Sequence, residues 1–192
     1  METNNNNIFF DINKLKFIGK NVIIGKTVRI RKPELVSIDD NTIIDDFTYI
    51  SGEVSIGKYV HIGPSCSIQG SGSRIIIKDF VGISSGSRIY ASTSDYVSCS
   101  LEFPTIPDNV KIGGFTEEII LNSFSIIGAN SVILPGCVVP IGFAVGTHSR
   151  LTKYQNMIEW YYYDSNRNGL IRRTGKEVVL KIAKSLTGVD YE

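Results

Sequence analysis

Aliphatic residues recur at every sixth position over much of this chain, and that period excludes most ways of folding it. The series reads Ile24-Gly25, Ile56-Gly57, Ile62-Gly63, Ile68, then Ile77, Ile83 and Ile89. After an interruption it resumes with Leu121, Ile127-Gly128, Ile133, Val139, Val145-Gly146 and Leu151, five consecutive steps of six. An amphipathic helix needs apolar residues at i, i+3, i+4 and i+7, and a half-buried strand alternates every two. Six fits neither. It fits a short strand followed by a turn, with three such sides making a coil of about 18 residues that pairs with the coils above and below it. The fifth residue of each hexad is small or β-branched (Val60, Cys66, Val81, Ser125, Ser131, Cys137, Ser149), so two positions in six face inward. Phe143 also falls at an inward position, where it fills the prism. The predicted fold is a mainly β, parallel β-helix.

With 192 residues the chain suffices for one domain with a real core. Its 20 basic and 19 acidic groups leave a formal charge of +1, which argues against a partner such as nucleic acid or an anionic membrane. The start METNNNNIFFDINK lacks a basic-then-apolar leader, and no run approaches the ~18 apolar residues of a spanning helix. A cytoplasmic protein without a transmembrane segment is expected. Cys66, Cys99 and Cys137 form no C-x-x-C pair, which favours reduced thiols, the first and last as core residues and Cys99 as a candidate reactive thiol of the loop over 97–118. His61 and His148 are the only histidines, so a three-histidine metal site cannot be built and no metal is expected.

Two stretches break the period. Residues 97–118 carry prolines and no sixfold phase, so the chain must leave the stack and return, and loops on rigid scaffolds are where binding residues gather. After Lys153, MIEWYYYDSNRNGLIRR leads to Thr174-x-x-Glu177, which reads as a capping box opening a helix with Val178, Val179, Ile182 and Leu186 on one face. The expected organisation is a β-helix domain over 1–173, with loop 97–118, and a helical tail over 174–192 that packs on the end of the β-helix or on a neighbouring subunit. From Arg150 to Lys184 eight basic residues face three acidic ones, an excess suited to phosphate groups.

The segments IGKYVHIGPSCSI (56–68), VGISSGSRIYASTSDY (81–96) and SIIGANSVILPGCVVPIGFAVGTHSRLTK (125–153) resemble the left-handed β-helix hexapeptide-repeat acyltransferases. The likeness runs over about residues 20 to 173 and is strongest to acetyltransferases of bacterial surface-polysaccharide (O-antigen, capsule, lipopolysaccharide) biosynthesis. It implies a left-handed coil, against the usual crossover rule, and acetyl-CoA as co-substrate. In many members the general base is a histidine ending a strand that reads IYTATH; the same frame here ends at Ser94. Serine at its usual pKa is no base, so His61 becomes the candidate, with Asp95 either orienting the imidazolium or binding a sugar hydroxyl. Tyr90, Ser94 and Tyr96 are candidate acceptor contacts. Hexads 56–61 and 89–94 fall on different sides of one prism. His61 and Asp95 can therefore meet only across a subunit interface, which suits a homotrimer; the plainer alternative is that His61 only hydrogen-bonds there. The resemblance puts coenzyme contacts at Ala129, Thr147, Thr152, Lys153 and, with Arg167 in place of a family proline, Arg172. His148 sits at a turn and is a coenzyme contact or an exposed turn residue.

The leading expectation is a sugar O-acetyltransferase with direct transfer and His61 as base. Ser94 keeps a second reading open, N-acetylation of a nucleotide-linked amino sugar without a strong protein base. A reading of another class, a non-catalytic β-helix used for assembly, requires neither the long loop nor the basic segment.

Overall fold

The computed structural model describes residues 7–97, 101–164 and 169–191. Short parallel strands wrap into a three-faced β-solenoid. The first face stacks Phe17–Ile18, Val36–Ile38, the second halves of the long strands Tyr49–Ile56 and Ser67–Ile77, Ile119–Leu121 and Val138–Val139. The second face stacks Ile23–Ile24, Ile43–Ile44, His61–Ile62, Gly82–Ile83, Ile126–Ile127, Ala144–Val145 and Tyr161–Asp164. Gly169–Arg172 closes that face as an antiparallel hairpin partner. The third face stacks Arg29–Arg31, the first halves of the two long strands, Arg88–Tyr90, Val132–Ile133 and Arg150–Leu151.

Register on the second face gives the length of each coil. Ile24, Ile44, Ile62, Ile83, Ile127, Val145 and Tyr163 lie one above another, so successive coils take 20, 18, 21, 44, 18 and 18 residues. The coil of 44 contains the excursion. All seven of the small fifth-position residues named above are buried, and Phe143 is fully buried among them. Most inward hydroxyls have a carbonyl to reach: Thr42, Thr48, Ser87 and Ser131 donate to the main-chain oxygens of Gly57, Gly63, Gly128 and Gly146 at 2.8 to 3.1 Å, whereas the buried Ser125 Oγ makes no hydrogen bond with the described residues.

The corner between the first and second faces turns through left-handed residues, and from Tyr59 upward most of these are aromatic: Tyr59, Phe80, Phe124 and Trp160 all have φ between 55° and 63°. Their rings stack at 5.0, 5.1 and 5.7 Å between centroids. Phe124 and Trp160 are two coils apart. They meet because Gly142 stands between them; a Cβ there would lie 2.4 Å from the indole. Arg173 staples the corner, its Nη1 donating to the carbonyls of Phe124 and Gly142 at 3.1 and 2.5 Å.

The helix Lys176–Thr187 lies along this corner, on the side of the prism instead of its end, with Ala183 buried against Phe124 and Trp160. The expected capping box does not form. Gly175 takes the N-cap position in a left-handed conformation, which starts the helix beyond the reach of Thr174, and no side chain caps it. Val178, Val179, Ile182 and Leu186 remain exposed. Tyr191 pins the segment after the helix, its hydroxyl donating to Asp79 Oδ2 at 2.6 Å. Among the described residues no helix is long and apolar enough to cross a membrane.

Candidate active site

The excursion begins after Ser92–Thr93 and ends at Phe115–Thr116, because these two short strands pair antiparallel and close the loop at its neck. It is displaced from the expected 97–118, since the return leg is ordered three residues before the sixfold phase resumes at Ile119–Leu121. Tyr90 ends the third-face strand; Ser94 and Asp95 follow it, half-buried, at the corner where the chain leaves the prism. The Asp95 amide donates to both carboxylate oxygens of Glu102 at 3.1 Å, and Val97 N donates to Asp95 Oδ1 at 2.8 Å. Glu102 was not foreseen. It also lies against Gly114, whose Cβ would come within 2.6 Å of its carboxylate, so it bridges both legs of the loop. Tyr96 is fully presented, at 88% exposure. Cys99 lies outside the described residues.

His61 is on the second face, away from that corner, so one chain does not bring it to Asp95. Its Nε2 is 2.9 Å from Asp45 Oδ2, a carboxylate one coil below. A carboxylate there favours the proton on Nε2 and leaves Nδ1 as the second ring nitrogen. In register above His61 stands Gly82, where a Cβ would meet nothing within 4 Å, so the imidazole borders open space.

The expected coenzyme residues divide between two corners. Ala129, Thr147 and His148 lie where the second face meets the third; His148 is exposed with φ 56°, and its amide donates to Ala129 O at 2.9 Å. Thr152 and Lys153 follow the third-face strand Arg150–Leu151. Lys153 already has a partner: its Nζ is 2.5 Å from Glu117 Oε2, with the rings of Phe115 and Tyr154 at 5.8 and 5.5 Å. The Glu117 hydrogen bond holds the ammonium pKa above its ordinary value. Lys153 therefore ties the last coils to the return leg of the loop. Arg172 is exposed in the closing hairpin, while Arg167 lies outside the described residues. Burial pushes the Cys66 thiol up and that of Cys137 to about 12, so both are inert core residues.

The chain is 34% identical to AntD, an N-acyltransferase from Bacillus cereus, over 95% of this chain and 98% of that one, with a TM-score of 0.82. AntD has been solved with dTDP and 3-hydroxybutyryl-CoA, and a serine variant of it with dTDP-4-amino-4,6-dideoxyglucose and coenzyme A. Two further solved forms replace an aspartate ten positions after that serine, and others replace the serine itself. A dTDP-4-amino-4,6-dideoxy-D-glucose acyltransferase from Escherichia coli is 32% identical over 101 residues, 51% of this chain. That match spans half the length of the curated relative. A maltose O-acetyltransferase from Clostridium difficile 630 shares the fold alone, at 15% identity and a TM-score of 0.54 over 86% of this chain and 73% of that one. No protein-family model matches the sequence.

Proposed function

The chain belongs to the hexapeptide-repeat acyltransferases, and we propose that within them it transfers a short acyl group from coenzyme A to the amino group of a nucleotide-linked amino sugar. The observation that carries this reading is the likeness to AntD over nearly the whole chain, by comparison with the fold-level likeness to an O-acetyltransferase. It turns the balance from O-acetylation with a histidine base toward N-acylation.

Ser94 supports the same choice, because a hydroxyl acceptor needs a base and a neutral amine does not. The amine nitrogen bonds to the thioester carbonyl carbon, the C–S bond breaks, and the proton shed by nitrogen leaves through Asp95 while the thiolate departs. Asp95 stands ten positions after Ser85, the spacing of the two residues replaced in AntD. Tyr90, Ser94 and Tyr96 border the acceptor. Coenzyme A, delivered as acetyl-CoA or a larger acyl thioester, runs along the C-terminal coils past Ala129, Thr147, Thr152, Lys153 and Arg172. His61 and Asp45 face a neighbouring subunit of a homotrimer.

The test offers the purified protein acetyl-CoA with either dTDP-4-amino-4,6-dideoxyglucose or a galactoside, following free thiol and product mass. Thiol release with an amide product from the amino sugar is expected. Release only with the galactoside, giving an ester, would overturn the reading.

A further inference from the structure

Below the excursion loop, where the third face turns into the first, a groove of about 770 Å³ opens at the side of the prism. Its size is that of a small-molecule site. Its floor is main chain: a Cβ on Gly52 would lie 2.5 Å from the Gly70 carbonyl carbon, and one on Gly70 would lie 2.3 Å from Glu53 O. Neither could carry a side chain without the coils moving apart. Around that floor stand three cations, Arg31, Lys32 and Arg74, with Tyr49 and Gln69, and Pro104 of the loop overhangs it. Two carboxylates also line it, Glu53 and Glu118, and Glu118 is engaged by Arg74 Nε. That bond fixes the guanidinium plane and leaves both Nη groups outside it.

The groove has a direction. Arg31, Ser51, Gln69 and Tyr90 are in register, one coil apart, so they form a single file up the third face. Three inter-strand steps make the file about 14 Å long. Its upper end is Tyr90, from which the chain leads to Asp95, and Lys153 lies beyond, after the topmost strand of this face. Cations and an aromatic ring therefore lie below the proposed reaction corner, and the coenzyme residues lie above it.

We infer that this groove is the nucleoside diphosphate subsite of the acceptor, with Arg31, Lys32 and Arg74 holding the diphosphate and Tyr49 stacking the base. The inference rests on the nucleotide-sugar reading above and adds the residues that select the nucleotide. Against the two carboxylates, one of them already engaged by Arg74, the two guanidinium groups and the ammonium leave the groove with a net positive charge for a diphosphate to meet. A tyrosine ring offers a base a face, and Gln69 offers its edge both a donor and an acceptor. Approach from the N-terminal side puts the sugar at Asp95, between nucleotide and thioester, so donor and acceptor do not compete for one channel.

Calorimetric titration with dTDP tests this on the full chain, comparing the wild type with Arg31→Ala and Tyr49→Ala and using acetyl-CoA as the control ligand. Each variant should bind dTDP at least roughly tenfold more weakly, the scale of one lost charged or stacking contact, while acetyl-CoA affinity stays within about twofold. The Michaelis constant for the amino sugar nucleotide should rise with turnover at saturation retained, because a contact remote from the reacting atoms is shared by ground and transition states. Wild-type and variant proteins binding dTDP equally would overturn the groove assignment and leave the nucleotide-sugar reading standing. A wild type that binds acetyl-CoA but no dTDP would overturn both.

Discussion

With Ser94, and no imidazole, at the corner where the chain leaves the prism, the acceptor must bring its own lone pair, and two side chains become diagnostic. Asp95→Ala should lower turnover by roughly 100-fold or more, the scale of a lost proton-transfer group, whereas His61→Ala should keep it within about tenfold. Steady-state rates at saturating substrates decide this. The reverse order would restore His61 as the base and with it the O-acetyl reading. Lys153 poses a separate question, since its ammonium is already bound to Glu117 at 2.5 Å. If it also meets a coenzyme phosphate, Lys153→Ala should raise the acyl-CoA Michaelis constant about tenfold, and Glu117→Gln should lower it by releasing the ammonium. Both variants raising the acceptor constant instead would make the pair a loop anchor with no share in coenzyme binding.

The aromatic corner shows how one glycine serves an element. Gly142 has φ 65° and sits beneath the indole of Trp160, so Gly142→Ala combines a left-handed alanine with a ring clash. It should cost about 2 kcal/mol or more, seen as a lower Tm and a changed Trp160 emission. Tyr191 governs the helix beside it: burial first, and then the bond to Asp79, push its pKa from 10.0 to about 12. A raised folded-state pKa gives stability that is present below the unfolded value and lost as pH rises through the folded one. The helix should therefore loosen between pH 10 and about 12, and Tyr191→Phe should remove that step from a fluorescence titration. The later coils were legible in the sequence because Ile127, Ile133, Val139, Val145 and Leu151 keep strict phase at 18 residues per coil. Coils of 20 and 21 blur that phase where the turn Pro33–Leu35 and the stretch 70–73 add residues. The helix start was misplaced because a left-handed Gly175 leaves no trace in the pattern Thr174-x-x-Glu177. That the chain leaves the stack was legible in the broken phase over 97–118, but its departure already at Ser94 and Asp95 was not, because the neck that pairs Ser92–Thr93 with Phe115–Thr116 leaves no sixfold mark. The carboxylates Asp45, Glu102 and Glu117 were not, because their partners lie 16, 7 and 36 positions away and meet only through coil length and the path of the loop.

At the scale of the molecule, the three faces are not alike. The first carries an outward file of Ile76, Ile120 and Val138, and the second carries Ile23, Ile43 and Ile126, joined at its edge by Val179, Ile182 and Leu186 of the helix. The third is polar, with Arg29, Arg31, Gln69 and Arg88 outward. Soluble monomers rarely leave such apolar files uncovered. Contact between two different faces is heterologous, and three prisms joined first face to second close a ring while the third face of each stays open to ligands. Sedimentation at micromolar concentration should give about three times the 21.2 kDa of one chain. The double substitution Ile43→Lys, Ile126→Lys puts like charges into the joint and should yield folded monomers by circular dichroism. On the cross-subunit proposal, in which a neighbour's second face completes the cleft beside Asp95, those monomers should still bind acetyl-CoA weakly but should not turn over. Monomeric wild-type protein with full activity would remove the cross-subunit site and leave His61 and Asp45 as a hydrogen-bonded pair on an exposed face.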